Sequence, residues 1–277
     1  MRIDAHQHFW KLSNDFTDWP SPDLAAIYHD YGAPEIAPLL QACAIDGTIL
    51  VQAAPNEEET RYLLSIADNN DWVLGVVGWI DFESPSALGR LAAFSKHPRF
   101  KGVRPMLQGI EQPDWVLREA FTPIFRHLAS SGLAFDGLVR ASQICELATL
   151  ARRYPDLRIV LDHAGKPDIA HGQFADWARQ IAGFAAAPNA YCKLSGLWTE
   201  AGGDHADARI APYVTVLLEQ FGPGRLMWGS DWPVLELAGH YADWIEQCQR
   251  LLASIGSDGQ RAVFGATAAR FYGVGNA

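Results

Sequence analysis

The stretch Arg2-Ile3-Asp4-Ala5-His6-Gln7-His8-Phe9-Trp10 alternates apolar and polar residues and reads as a short strand. Side chains alternate faces along a strand, so His6 and His8 share one face and both imidazoles can converge at its C-terminal end. Such a pair offers two metal ligands or two proton carriers. Taken alone, it reads first as a packed core histidine followed by a loop residue, because short motifs recur by chance. Residues far downstream change that balance.

Working outward, seven further apolar runs follow: Gly47 to Ala53, Val73 to Ile80, Phe100 to Pro105, Leu133 to Val139, Leu157 to His163, Ala190 to Ser195 and Arg225 to Asp231. Segments with helical periodicity separate them. One begins at Asn56, with Glu59 at capping-box spacing ahead of Tyr62, Leu63, Leu64 and Ile66; another runs from Asp114 through Val116, Leu117, Phe121, Ile124, Phe125 and Leu128 toward Gly132. Strict alternation of strand and helix implies a parallel sheet, and eight such units imply closure into a single (β/α)8 barrel over residues 1–277. An open doubly wound sheet is the alternative. It would carry a glycine-rich phosphate turn after the first strand, where this chain has His6-Gln7-His8.

Composition narrows the function classes. At 277 residues, 49% hydrophobic and 19% charged, the chain is globular and can build a sizeable core. Its net charge of −10, with no run of Lys or Arg, lacks the attraction that nucleic acid or an anionic membrane surface requires. No apolar stretch approaches the roughly 18 to 20 residues of a membrane span, and the N-terminus lacks a signal-peptide core, so a cytoplasmic protein is expected. Cys43, Cys145, Cys192 and Cys248 lie far apart and read as buried thiols. A homo-oligomer is compatible with all of this.

In a barrel the chemistry sits at the C-terminal ends of the strands. Those ends carry His6 and His8, Gln52, Trp79, Arg104, Asp136, Asp162 and His163, Lys193 and Ser195, and Ser230, Asp231 and Trp232. An apolar run ending in a carboxylate or imidazole is costly to bury unless that group is paired, metal-bound or facing a wet cavity. Strands one and eight are neighbours in a closed barrel, which places Asp231 beside His6 and His8, with His163 arriving on strand six. These four are the expected catalytic residues. The loops Lys11 to Pro34 and Gly196 to Asp207 are long enough to act as lids or binding loops.

Asp4-Ala5-His6-Gln7-His8-Phe9-Trp10, Asp162-His163-Ala164-Gly165-Lys166-Pro167, Lys193-Leu194-Ser195-Gly196 and Gly229-Ser230-Asp231-Trp232-Pro233 resemble the amidohydrolase superfamily. The resemblance is to its sugar-lactone hydrolase branch, which contains L-fuconolactonases and L-rhamnonolactonases and is related to 2-pyrone-4,6-dicarboxylate lactonases. It covers nearly the whole chain. It implies a (β/α)8 barrel and hydrolysis of a small-molecule sugar lactone to its free acid. The bridging Lys on strand four and the His on strand five of two-metal members are absent here, where Arg104 and Asp136 stand. The cofactor expectation is therefore none or one divalent ion, zinc by ligand chemistry, on His6, His8 and Asp231.

Ester hydrolysis needs a base for water, polarisation of the carbonyl and a proton for the leaving oxygen. Asp231 is the expected base, with His163, His6 and His8 polarising the carbonyl directly or through a metal. Substrate contacts are expected from Arg104, Gln52, Trp79, Asp136, Lys193, Trp198 and Trp232, and Trp10 joins them as an indole near a strand end. For Arg104 an ion pair with Asp136 is the competing reading, and for Lys193 a salt bridge inside the barrel. A metal-dependent decarboxylase, an amidase and a sugar-binding protein without turnover are the alternative functions.

Overall fold

Each of the eight apolar runs forms a strand in the computed structural model, which describes residues 1–17 and 19–275. The strands are β1 (Ile3–Gln7), β2 (Gly47–Val51), β3 (Val73–Gly78), β4 (Phe100–Val103), β5 (Ala134–Gly137), β6 (Arg158–Leu161), β7 (Ala190–Leu194) and β8 (Leu226–Trp228). They pair in parallel in chain order from β1 to β8. The ring closes through a parallel bridge between Gln7 and Trp232 at the rim formed by the C-terminal ends of the strands. The (β/α)8 barrel expected from the sequence is the fold. Every strand stops one to three residues short of its apolar run, and the residues left over line the rim.

The helices α1 (Ala33–Ala42), α2 (Glu57–Asp68), α3 (Ala87–Phe94), α4 (Thr122–Ser130), α5 (Ile144–Arg153), α6 (Phe174–Ala185), α7 (Asp207–Phe221) and α8 (Tyr241–Leu251) follow their strands. Their apolar faces and the outer faces of the strands make one continuous core layer. A second core lies inside the ring, where Ile3, Ala5, Ile49, Val51, Val77, Ala134, Val160 and Met227 meet Ala268, Phe271 and Tyr272. These last three belong to a closing helix, Thr267–Tyr272, that plugs the lower mouth.

Three sequence expectations are corrected. The helix expected from Asp114 is broken into two 3-10 turns, Pro113–Leu117 and Glu119–Phe121, before α4. Arg118 between them is extended at φ −58°, ψ 131°, and Pro123 starts a new helix in the first turn, where its missing N–H costs nothing. Of the cysteines, Cys192 and Cys248 are buried, but Cys43 is only half-buried and Cys145 is exposed.

Asn56 caps α2 as expected, its side chain accepting from Glu58 N at 2.6 Å. Glu59 does not complete the capping box. It turns inward and accepts from Ala53 N and Ala54 N, at 3.0 and 2.8 Å, holding the rim segment after β2.

Burial pushes the Glu59 carboxyl up to about 7, against the Ala54 and Ala53 amides and the Arg104 guanidinium. The folded chain therefore holds this proton more tightly than the unfolded one, whose glutamate titrates near 4.5. The contribution is fully present below that value and is lost as pH rises through about 7. Glu59→Gln cannot titrate and is expected to flatten the dependence of melting temperature on pH between about 5 and about 8. A variant with the parent's slope would show that the carboxylate is already ionised throughout that range.

Candidate active site

The rim that carries the candidate site is built where β8 meets β1. Asp231 N donates to His6 O and His8 N donates to Trp232 O, each at 2.8 Å. Beneath them the Asp4 carboxylate ties the two strands together, accepting from Ser230 N at 2.8 Å, His6 N at 3.1 Å and the Tyr241 hydroxyl at 2.9 Å. Burial raises Asp4 to about 6 despite these bonds. The approach needs Gly229, because a Cβ there would lie 2.8 Å from His6 Cβ. Asp231 then leaves the strand at φ +61°, and after β6 His163 does the same at φ +50°. Left-handed backbone at non-glycine residues is strained and gathers at functional sites. Gly196, at φ +66°, leaves room for the His163 ring, which a Cβ would meet at 2.8 Å.

The structure brings His6, His8, His163 and Asp231 together. His6 Nε2 lies 3.2 Å from His8 Nε2 and 3.7 Å from Asp231 Oδ1. Asp231 Oδ1 is 3.3 Å from His8 Nε2 and 3.7 Å from His163 Nε2. His8 Nδ1–H donates to Val51 O at 2.8 Å, so Nε2 faces the carboxylate with its lone pair. Two lone-pair atoms so close in a buried place call for a proton or a metal ion between them. Tetrahedral zinc, with bonds near 2.0–2.1 Å, spaces its ligands about 3.4 Å apart, so these donors fit it. The donor atoms of His6, His163 and Asp231 also lie within 4.8 Å of one another. His163 Nδ1 meets the Ser195 hydroxyl at 2.9 Å, and a hydroxyl, unlike the Val51 carbonyl, can serve either ring tautomer.

The environment sets the protonation states. Burial, then the Lys193 ammonium beside Nδ1, hold His6 well below the ordinary histidine range. Burial lowers His163 to about 4, although Asp231 and Asp162 pull it upward. For Asp231 burial pushes upward, but the neighbouring His163, His8 and His6 rings together outweigh it and keep the carboxyl ionised.

Under this cluster lies a buried charge network. Lys193 Nζ contacts Asp136 Oδ2 at 2.5 Å, Asp162 Oδ1 at 2.9 Å and His6 Nδ1 at 3.1 Å. Tyr272, from the closing helix, donates to Asp136 at 2.7 Å. Arg104 reaches Asp162 Oδ2 at 3.4 Å and His6 Nε2 at 3.2 Å, and its other terminal nitrogen donates to Gln52 O. Arg104 therefore pairs with Asp162 and not with Asp136. Burial pushes Asp136 upward, with Lys193 opposing and Asp162 reinforcing; Asp162 is held well below its usual range by Lys193, His6 and Arg104 against burial.

Above the cluster opens a cavity of about 540 Å³ whose wall includes His8, Arg104, His163 and Asp231. Gln52, Asp136 and Lys193 lie behind that wall, fully buried. The expected stacking tryptophans are placed elsewhere. Trp10 and Trp232 are buried among Tyr31 and Phe9, Trp79 lies outside the wall, and Trp198 lines a neighbouring hollow of about 480 Å³. The indole in the cavity is Trp19, backed edge-on by Trp10 at 4.9 Å. It sits mid-loop, where no strand end marks it. The same loop brings Thr17 and Leu24 to the wall, while the loop after β7 brings Thr199 and Glu200. Tyr31 OH and Trp232 Nε1 both donate to Glu236, at 2.6 and 2.7 Å.

Comparison with known proteins follows this geometry. The amidohydrolase family profile matches residues 3–274. An L-fucono-1,5-lactonase of Burkholderia ambifaria is 45% identical over 281 residues, spanning 99% of this chain and 96% of the relative. An L-fucono-1,5-lactonase of Burkholderia multivorans is 34% identical over 286 residues, spanning 99% and 96%. A crystal structure of an amidohydrolase from Burkholderia multivorans with bound zinc superposes at a TM-score of 0.94 with 33% identity, covering 99% of this chain and 100% of that one.

Lys193→Met would leave the Asp136 and Asp162 carboxylates buried without their shared ammonium. A loss of about 3–5 kcal/mol in urea unfolding is expected, partly restored by adding Asp136→Asn. A loss below about 1 kcal/mol would show that the network does not depend on the lysine charge.

Proposed function

The chain belongs to the amidohydrolase family, and on that premise we propose that it hydrolyses a sugar lactone, an aldonolactone with a 1,5 ring, to the free acid. The observation that carries this reading is one ionised carboxylate, Asp231, set among three imidazoles at the floor of an open cavity of about 540 Å³. That constellation suits attack by water on a carbonyl. Asp231 takes a proton from water as its oxygen bonds to the lactone carbon. The carbon–ring oxygen bond then breaks, and the same proton passes to the leaving alkoxide. His163, held by Ser195, can present Nε2–H to the carbonyl oxygen, where charge develops. A divalent ion would be held by His6, His8 and Asp231 with His163 adjacent, and when bound it supplies a Lewis acid at the carbonyl. Arg104, held by Gln52, positions the His6 imidazole from 3.2 Å, and Trp19 offers an apolar face to the sugar ring.

A panel of aldonolactones followed with a pH indicator is expected to show acid release, and Asp231→Asn is expected to lower the rate by about 10²–10⁴. Carbon dioxide release without acid from any lactone would point instead to a decarboxylase. Unaltered turnover in Asp231→Asn would remove the carboxylate from the mechanism. Zinc added to chelator-treated protein is expected to raise its melting temperature, and to do so much less in His8→Ala. An equal rise in both would place the ion elsewhere.

A further inference from the structure

Four of the titratable groups in the cavity wall already have work. Asp231, His8 and His163 form the hydrolytic cluster, and Arg104 is engaged by Gln52 and Asp162. Two remain, Lys166 and Glu200, with Lys166 Nζ 3.1 Å from Glu200 Oε1. Their side chains are 30% and 25% exposed, so the pair faces the cavity and is not sealed in the core. The backbone places it beside the reacting centre. Lys166 N donates to His163 O at 2.8 Å, and Lys166 follows the left-handed run at His163 and Ala164 with its own φ of +52°. Glu200 is fixed from the other loop, its carbonyl accepting from Ala170 N at 3.0 Å.

We propose that Lys166 and Glu200 are the specificity-determining pair of this site, reading two neighbouring hydroxyls of a neutral polyol lactone. This rests on the lactone reading above. An ammonium and a carboxylate side by side match a diol, one hydroxyl accepting from Lys166 and the other donating to Glu200. The pair also sets charge selectivity. An uncompensated lysine would attract a lactone bearing an extra carboxylate, and would retain the aldonate anion that hydrolysis produces. With Glu200 at 3.1 Å the local charge is balanced, so the site favours the uncharged substrate over the charged product.

The test compares a polyhydroxylated 1,5-lactone with δ-valerolactone, which has the ring and no hydroxyls. In Lys166→Met and Glu200→Gln the ratio of their kcat/KM values is expected to fall by about tenfold or more, since hydrogen bonds to charged groups are lost for one substrate only. Glu200→Gln is also expected to be inhibited several-fold more strongly by the aldonate product. Ratios within about twofold of the parent, or losses equal for both lactones, would overturn the proposal. Calorimetric binding of a 1,5-anhydroalditol separates the two readings. If the parent turns over neither lactone, the hydrolase reading falls, and an anhydroalditol affinity that drops in both variants still upholds the diol site, while an unchanged affinity overturns it.

Discussion

Two main-chain hydrogen bonds carry the architecture of this site: Asp231 N–H to the His6 carbonyl and His8 N–H to the Trp232 carbonyl. They close β8 onto β1, and three of the four residues that make them, His6, His8 and Asp231, are ones whose side chains meet in the cluster. Closing the barrel and assembling the site are thus one event. Asp4 reinforces that seam from below, and Gly229 removes the side chain that would hold the strands apart. A barrel closed a few ångströms differently would still bury its apolar layers, but it would separate a carboxylate from its imidazoles.

Below the seam, two cations and two carboxylates share the buried barrel interior. Lys193 and Arg104 balance Asp136 and Asp162, and the arrangement is useful for what it does to His6. Burial and then the Lys193 ammonium at one ring nitrogen hold the imidazole neutral, while Arg104, near the other nitrogen, helps fix its orientation. Charges buried in this way contribute little net stability, because desolvation offsets their attraction. Their value lies in positioning. The left-handed residues at the rim add a second cost of the same kind, concentrated at the turns that aim Asp231 and His163 into the cavity.

Much of this was legible in the sequence. Eight apolar runs alternating with amphipathic segments imply the barrel, and adjacency of first and last strands in a closed ring brings Asp231 to the histidine pair. Where the reading stopped, the reason is physical. Strand ends tell which residues reach the rim but not which way a side chain turns, so Gln52, Asp136 and Lys193 could not be told from wall residues, nor Trp232 and Trp79 from stacking platforms. Trp19, Lys166 and Glu200 lie on loops whose course depends on tertiary contacts that leave no periodicity. Glu59 stood in a capping-box pattern, yet the unpaired amides after β2 competed for its carboxylate and won.

The shared acceptor Glu236 links two parts that are distant in sequence. Tyr31 anchors the long loop that delivers Trp19 to the cavity, and Trp232 is the next residue after Asp231; both donate to this one carboxylate. Loss of the tyrosine's hydrogen bond would leave that carboxylate with the Trp232 indole as its partner, at the turn that follows Asp231. One side chain therefore fixes the cavity wall bearing Trp19 relative to the turn that aims Asp231, so a change at Glu236 would be felt on both sides of the site.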